Sequence, residues 1–273
     1  MSYHRSSSAS RLLYFRAKLA MAHVITIANQ KGGVGKTTTV SNLGVYLAAY
    51  GKKVLIIDID PQSNATSTFS PTKDIPIHVY HALVGNVHPD DIIRPTGLFS
   101  LDILPAHAEL AGATIELVSM ENREFKLQEI TNKVRHNYDF ILIDCPPSLG
   151  LLTLNGIVAA DYVIVPVQAE YYALEGLGQL LNSIDLVKEN LGRDIKILGA
   201  LCTMYDKRNR LSRNILKDMR RSFPGYVFEV IIPRNITLAE APGYGRTIYQ
   251  HDPASTGANA YRQLAKEVIN RLG

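Results

Sequence analysis

A glycine-rich phrase, Lys31-Gly32-Gly33-Val34-Gly35-Lys36-Thr37-Thr38, follows the apolar run Val24-Ile25-Thr26-Ile27-Ala28 and opens a helix-like stretch that continues to Tyr50. Strand, glycine loop and helix in that order constrain the fold more than any other short pattern in the chain. Glycines lack a Cβ, so the backbone can turn its N–H groups inward and approach phosphate oxygens closely. The positive end of the following helix adds to that attraction. Lys36 and Thr37 fit the usual end of such a loop, the lysine reaching β/γ-phosphates and the hydroxyl coordinating Mg²⁺. The bland alternative is a glycine turn with no ligand, and the flanking strand and helix argue against it. Lys31, five residues before Lys36, is an extra cation that an ordinary phosphate loop does not need.

The rest of the chain alternates strand and helix patterns, which predicts βαβ units and one doubly wound, mostly parallel α/β sheet with helices on both faces. The expected strands are Val24–Ala28, Val54–Asp58, Leu101–Leu104, Phe140–Asp144, Tyr162–Pro166, Ile197–Thr203 and Val227–Ile231. The expected helices are Lys36–Tyr50, Val79–Leu83, Ala108–Val118, Arg123–His136, Leu149–Ala159, Ala173–Asn190, Arg208–Ser222, Ile236–Ala241 and Ser255–Arg271. Between Asn64 and Ser100 four prolines interrupt any period, so that stretch reads as a surface excursion.

At 273 residues the chain can bury a full core. No apolar run approaches the roughly 20 residues that span a bilayer. The net charge of +4 is too mild to name a partner. The two cysteines, Cys145 and Cys202, form no CxxC pair and sit in apolar runs, so they read as inert core thiols of a reduced, cytoplasmic protein. Residues 1–21 form an extension before the domain of residues 22–273. It is rich in serine, arginine and lysine and holds no acid. Three readings stay open for it: sequence upstream of a start at Met21, a targeting peptide, or a basic arm for nucleic acid. At most a short helix is expected in it, over Arg11–Leu19.

Two apolar runs, Val54-Leu55-Ile56-Ile57-Asp58 and Phe140-Ile141-Leu142-Ile143-Asp144, end in aspartate. Strand carboxyl ends border the ligand crevice of an open α/β sheet. A carboxylate there can hold the Mg²⁺ shell, and Asp144 is the better candidate for it. Asp60, just past the second strand, is placed to orient an attacking water. Any one such aspartate could be a mere turn residue; three converging on one loop weaken that reading.

Taken together, Lys31 to Thr38, Asp58-x-Asp60-Pro61-Gln62-x-Asn64-Ala65-Thr66 and Ile143-Asp144-Cys145-Pro146-Pro147-Ser148 resemble the deviant Walker A ATPases, most closely the ParA/Soj branch that partitions chromosomes and plasmids. Pro233-Arg234-Asn235, Glu240-Ala241-Pro242 and Tyr249-x-x-x-Pro253-x-Ser255-x-Gly257-Ala258 look like the same branch, so the resemblance runs from about Ala22 to Gly273. It implies a weak, Mg²⁺-dependent ATPase that forms a homodimer around ATP. In that picture Lys31 is the signature lysine, reaching the partner's phosphates and neutralising charge as an arginine finger does elsewhere. Lys36 and Asp60 complete the catalytic set, and Gly32, Gly33, Val34, Gly35, Lys36, Thr37 and Thr38 cradle the phosphates. Thr37, Asp144 and Asp60 serve the metal. Asp58 ends the strand of the second motif. Adenine is expected near Pro233 and Asn235, with Met204 as a weaker candidate. Gly32 is expected where two loops nearly touch across the dimer.

The stretch from Tyr205 to Arg221 carries the strongest charge bias. At about 100° per residue, Arg210, Arg213, Lys217, Arg220 and Arg221 share one arc. Leu211, Ile215, Leu216, Met219 and Phe223 fall opposite, and Asp206 is expected to start the helix. A basic stripe attracts phosphate backbones through counterion release without reading sequence. Alone it could equally be a solvated face; the resemblance, whose members bind double-stranded DNA nonspecifically as ATP dimers, favours DNA. Arg246 and Arg234 are candidates to extend the patch. The resemblance further implies a ParB/Spo0J-type partner and a nucleoid location. Two other classes stand beside this reading. A membrane-cycling relative of the MinD kind would use a C-terminal amphipathic anchor, whereas Tyr261, Leu264, Ala265, Val268 and Leu272 read as a packing face. An ATP-dependent ligase or a cluster-carrying reductase would need a substrate pocket or a cysteine setting that the sequence does not display.

Overall fold

The computed structural model describes residues 21–70, 75–170 and 175–273. Seven strands form one sheet: β1 (His23–Ile27), β2 (Val54–Asp58), β3 (Arg94–Pro95), β4 (Leu101–Leu104), β5 (Phe140–Asp144), β6 (Tyr162–Gln168) and β7 (Lys196–Thr203). Their order is β3-β4-β2-β5-β1-β6-β7, and all neighbours run parallel except the short β3, which pairs antiparallel with β4. The helices are α1 (Lys36–Ala49), α2 (Asn64–Phe69), α3 (Val79–Leu83), α4 (Leu110–Val118), α5 (Lys126–Val134), α6 (Leu151–Ala159), α7 (Glu175–Leu191), α8 (Arg210–Ser222), α9 (Ile236–Glu240), α10 (Ile248–His251) and α11 (Thr256–Leu272).

Alternation along the strands builds the layers, because successive side chains point to opposite faces. Ile25, Ile56 and Leu142 pack with Leu43 of α1 and with Tyr261, Leu264 and Val268 of α11. Leu55, Ile57 and Ile141, their neighbours in sequence, pack with Leu83 of α3, Leu117 of α4 and Ile130 of α5. Val163 and Val165 of β6 meet Leu180 and Ile184 of α7 together with Ile215 and Met219 of α8. The sheet is thus covered on both faces, as near-continuous apolar strands require.

Parallel pairing sets every β–α connection that matters on one edge. Asp144 is the register partner of both Ile27 and Asp58, so the ends of β1, β2 and β5 lie side by side. Both cysteines are buried and free. Burial pushes the Cys202 thiol up to about 12 and also raises the Cys145 thiol well above its ordinary value, which suits inert packing. Gly156 lets α6 approach β5, since a Cβ there would lie 2.5 Å from Cys145 Sγ.

Three expectations need correction. Val227–Ile231 is not a strand; it touches β7's Ala200 through one isolated bridge at Val227. The backbone N–H groups of Glu229 and Val230 donate instead to the Glu267 carboxylate of α11, at 2.9 and 3.0 Å, which takes them away from any ladder. The stretch from Asn64 to Ser100 is more than a surface excursion, for its described part holds α2, α3 and β3 and buries Ala65, Val79, Leu83 and Ile92. The two short helices there, α2 and α3, each bury apolar side chains, Ala65 in one and Val79 and Leu83 in the other. Finally, Asp206 does not start α8. Asn209 caps it by accepting from Leu211 N at 2.9 Å, while Asp206 pairs with Arg208. The helix expected over Arg11–Leu19 and the residue Ala173 lie outside the described residues.

Candidate nucleotide site

The glycine loop leaves β1 through Asn29, whose amide bridges two segments. Its Nδ2 donates to Pro166 O of β6 at 2.7 Å, and its Oδ1 accepts from Lys31 N at 3.0 Å. Gly33 and Gly35 then take positive φ values of 73° and 90°, which any residue with a Cβ adopts only under strain. On the far side Thr203 Oγ1 donates to Val34 O at 2.9 Å. The loop is therefore pinned to β6 and β7 before any ligand arrives. Asn29 and Thr203 were not singled out from the sequence. The pointer to both is position alone: each lies at the carboxyl end of a parallel strand.

Gly35 caps α1 in the left-handed region, and no side chain caps that end. The free N–H groups of the first turn, at Lys36, Thr37 and Thr38, face the loop's concavity as an anion site. Lys36 is 6% exposed, and its Nζ donates to Lys31 O at 3.0 Å across the loop. Burial lowers its pKa, opposed by the nearby charge of Asp144. A buried lysine in this state is electrostatically under-compensated, and a phosphate would compensate it. Lys31 differs. Its Nζ pairs at 3.4 Å with Glu170 at the rim, and its side chain is 37% exposed. Gly32 is exposed too, and a Cβ there would meet only Pro147 Cβ, at 3.8 Å.

The three aspartates divide into two kinds. Asp58, fully buried, is saturated by Asp60 N at 3.0 Å, Thr66 N at 2.8 Å and Thr66 Oγ1 at 2.7 Å. It fixes the loop that follows β2. Burial still raises its pKa, to about 6, against those hydrogen bonds. Asp60 is 6% exposed and accepts from Gln62 N at 2.9 Å, so its carboxylate is held at the lip of that loop. Asp144 is the opposite case: both carboxylate oxygens are buried without a hydrogen-bond partner. Burial first, and the neighbouring Asp58 second, push its pKa well up, with Thr37 and Lys36 pulling the other way. A buried carboxylate without donors calls for a cation. Thr37 and Asp144 accordingly fit a hydrated Mg²⁺, the donor set being hard oxygen.

Next to the cradle lies a pocket of about 460 Å³, lined by Gly35, Thr38, Met204, Pro233, Asn235 and others. The three residues expected around adenine are thus brought together. Met204 holds a φ of 52°, which turns the chain out of β7. Asn235 caps α9 through Leu238 N, at 2.9 Å, and donates to Thr256 Oγ1 at 3.0 Å. Arg234 lines this same pocket. Arg246 lines a second cavity of about 250 Å³ with Thr37, Thr38 and Asn42. Arg234 and Arg246 thus each line a cavity beside the glycine loop.

On α8 itself, Arg210, Arg213, Lys217, Arg220 and Arg221 are exposed, and Ile215, Leu216, Met219 and Phe223 are buried. Leu211 departs from expectation: it is 39% exposed, while its neighbour Ser212 is buried and donates to Ala169 O. Two of the cations have partners already. Arg213 donates to Lys207 O at 2.8 Å, and Arg220 pairs with Glu229 at 3.4 Å.

A pinned glycine loop, a buried lysine and a cation-seeking aspartate at the carboxyl edge of a parallel sheet define, as a class, a P-loop nucleoside triphosphatase. Comparison with known proteins narrows the class. The family described as "AAA domain" matches residues 22–197. The chain is 51% identical over 249 residues to the sporulation initiation inhibitor protein Soj of Bacillus subtilis, covering 91% of this chain and 98% of that protein. It is 45% identical to the chromosome partitioning protein ParA of Myxococcus xanthus, over 94% of this chain and 91% of that one. Among solved structures, a cobyrinic acid a,c-diamide synthase of Mycobacterium smegmatis with bound ADP and magnesium superposes with a TM-score of 0.81 at 39% identity, covering 92% and 95% of the two chains. The chain belongs to the Soj/ParA family of chromosome-partitioning ATPases.

Proposed function

We propose that the chain is an ATP-driven switch for DNA segregation. Mg²⁺·ATP binding closes two protomers face to face, the dimer holds DNA nonspecifically, and hydrolysis stimulated by a ParB/Spo0J-type partner releases it. One observation carries this reading: Lys36 occupies the cradle while Lys31, five residues earlier, ends at the exposed rim on Glu170. A lysine presented outward beside an exposed Gly32 suits delivery to a second protomer's phosphates. Two nucleotides facing each other need added positive charge, and a cation in a site closed to water is worth far more than one in solvent.

In this scheme the backbone N–H groups of the loop and Lys36 hold the β- and γ-phosphates. Thr37 and Asp144 hold the metal, which supplies charge neutralisation between those phosphates. Asp60 orients the water, and Asp58 keeps Asp60 in place through the hydrogen bond to its backbone. Adenine rests among Met204, Pro233 and Asn235. The exposed cations of α8, doubled in a dimer, supply the DNA surface and tie its affinity to nucleotide state. Nucleoid association follows from that surface.

The membrane-cycling alternative is less well supported. The residues of α11 that an anchor would expose, Tyr261, Leu264, Ala265 and Val268, are buried against α1 and the sheet. No helix among the described residues is long and apolar enough to cross a membrane. Amide synthesis, suggested by the name of the Mycobacterium smegmatis protein, is outweighed by the higher identity to Soj across nearly its whole length.

The deciding measurement is DNA binding with ATP, with ADP and without nucleotide, for the wild type and for Lys31→Ala. We expect retention only with ATP, and its loss in the variant. Equal retention in all three states would refute the switch.

A further inference from the structure

Away from the nucleotide cradle, the end of β4 carries a cluster that the ATPase reading leaves unused. His78 immediately precedes α3, and His107 and Glu109 lie in the connection from β4 to α4. The backbone brings them together, since Val79 N donates to Pro105 O at 2.8 Å. One ligand atom from each of His78, His107 and Glu109 falls within 4.8 Å of the other two. His78 Nε2 is 3.3 Å from Glu109 Oε2, and the His78 and His107 ring centroids are 4.9 Å apart.

We propose that His78, His107 and Glu109 form a binding site for a divalent transition-metal ion of the zinc class. Two imidazoles and one carboxylate are a donor set of that class, borderline nitrogen with one hard oxygen, and leave a coordination position for water. Zinc bound at about 2.0–2.1 Å to each ligand in tetrahedral geometry separates its ligand atoms by about 3.3 Å. The His78–Glu109 pair already has that spacing. His107, partly exposed, is the ligand that must close the remaining distance, by rotating its ring.

The cluster's surroundings fit a metal better than a simple hydrogen bond. His78 is 1% exposed, and its Nδ1 is buried without a hydrogen-bond partner. Glu109 is largely exposed, and a solvent-screened contact with a single ring would gain it little. A bound ion would fasten the start of α3 to the connection before α4, which are 29 residues apart along the chain (107 − 78). That connection also touches α2, which follows the loop carrying Asp60: Ala106 N donates to Thr66 Oγ1 at 2.9 Å, and Thr66 Oγ1 donates to Asp58. The ion would therefore stiffen the loop carrying Asp60 from behind.

Cobalt(II) is the probe, because its visible d–d absorption reports bound ligands directly. The nucleotide-free full chain is titrated with Co²⁺ in excess Mg²⁺, and Zn²⁺ is then used to displace the cobalt. One saturable equivalent per chain is expected, with at least tenfold weaker binding in His107→Ala and in Glu109→Gln. Both substitutions fall on exposed or partly exposed side chains, so the fold survives them. His88→Ala and Asp144→Asn should leave the spectrum unchanged. In parallel, Zn²⁺ should raise the thermal midpoint of the wild type and not that of His107→Ala. Absence of saturable binding, or a band that persists in His107→Ala and Glu109→Gln, overturns the site. A band lost in Asp144→Asn does so too, since it assigns the cobalt to the nucleotide cradle.

Discussion

Asp58 and Thr66 show how much of the site is held by buried hydrogen bonds between its own residues. Thr66 donates twice to the Asp58 carboxylate and accepts from Ala106, all within a buried environment. Thr66→Val keeps the shape and removes the hydroxyl, leaving one carboxylate lone pair and the Ala106 N–H unsatisfied. Each such loss costs about 1–3 kcal/mol. We expect a destabilisation of that order in urea unfolding and a slower ATPase, because the Asp60 loop loses its support. Asp58 also carries a pH signature. Its folded pKa, about 6, lies above the ordinary 3.8. The folded state therefore keeps a proton that the unfolded chain releases as pH rises. Stability from this group is fully present below about pH 4 and is lost as pH rises through 6. Without Mg²⁺ and nucleotide, the wild type should gain stability relative to Asp58→Asn as pH falls from 7 to 4. A difference independent of pH, measured by thermal melts, would contradict the assignment.

At the scale of elements, the basic face of α8 is the part whose chemistry is most exposed to test. Arg213→Glu or Arg221→Glu places a negative charge on the stripe of each protomer. Every phosphate contact contributes about 0.9 to the salt slope of binding. On the proposed function a dimer would lose two such contacts and gain repulsion, so retention in mobility shifts at matched salt should fall at least tenfold. ATP-driven dimerisation should be unaffected, as both side chains are exposed on α8 and neither pairs with a residue of the loop. The helix was legible in the sequence because its apolar and basic residues segregate at a period of 3.6, and so were the apolar strands ending in aspartate. What escaped the sequence has specific causes. β3 is two residues long and includes a proline, so it carries no period. The stretch Val227–Ile231 has strand composition, but the N–H groups of Glu229 and Val230 are claimed by Glu267, 36 residues beyond Ile231 in sequence (267 − 231). The start of α8 was misplaced because aspartate and asparagine both cap helices, and only the Arg208 pair decides which one does so here. Within the site, the motif residues could be read directly. Asn29, Thr203 and Glu170 act through long-range contacts that no local spacing announces.

For the whole molecule, the question is which surface the nucleotide edge meets. The carboxyl ends of β1, β2 and β5 gather Lys36, Asp58 and Asp144 in a buried row, while Gly32 and Lys31 stand on the outer rim of the same edge. A protein that hydrolysed ATP as a lone protomer would have no use for a second lysine that its own cradle leaves at the rim. Gly32 provides the sharper test of the dimer. Within one protomer a Cβ at that position meets only Pro147, at an ordinary van der Waals distance, and its φ is not in the left-handed region. Gly32→Val should therefore fold normally and bind Mg²⁺·ATP with an affinity within a fewfold of the wild type. If two such loops face each other closely, two added isopropyl groups meet at the interface and hold the protomers apart. The expected result is nucleotide binding by titration calorimetry without any ATP-dependent increase in mass by light scattering, and with it loss of DNA retention. An ATP-dependent dimer of Gly32→Val would mean that the loops do not approach, and Lys31 would then lose its proposed route to the partner's phosphates.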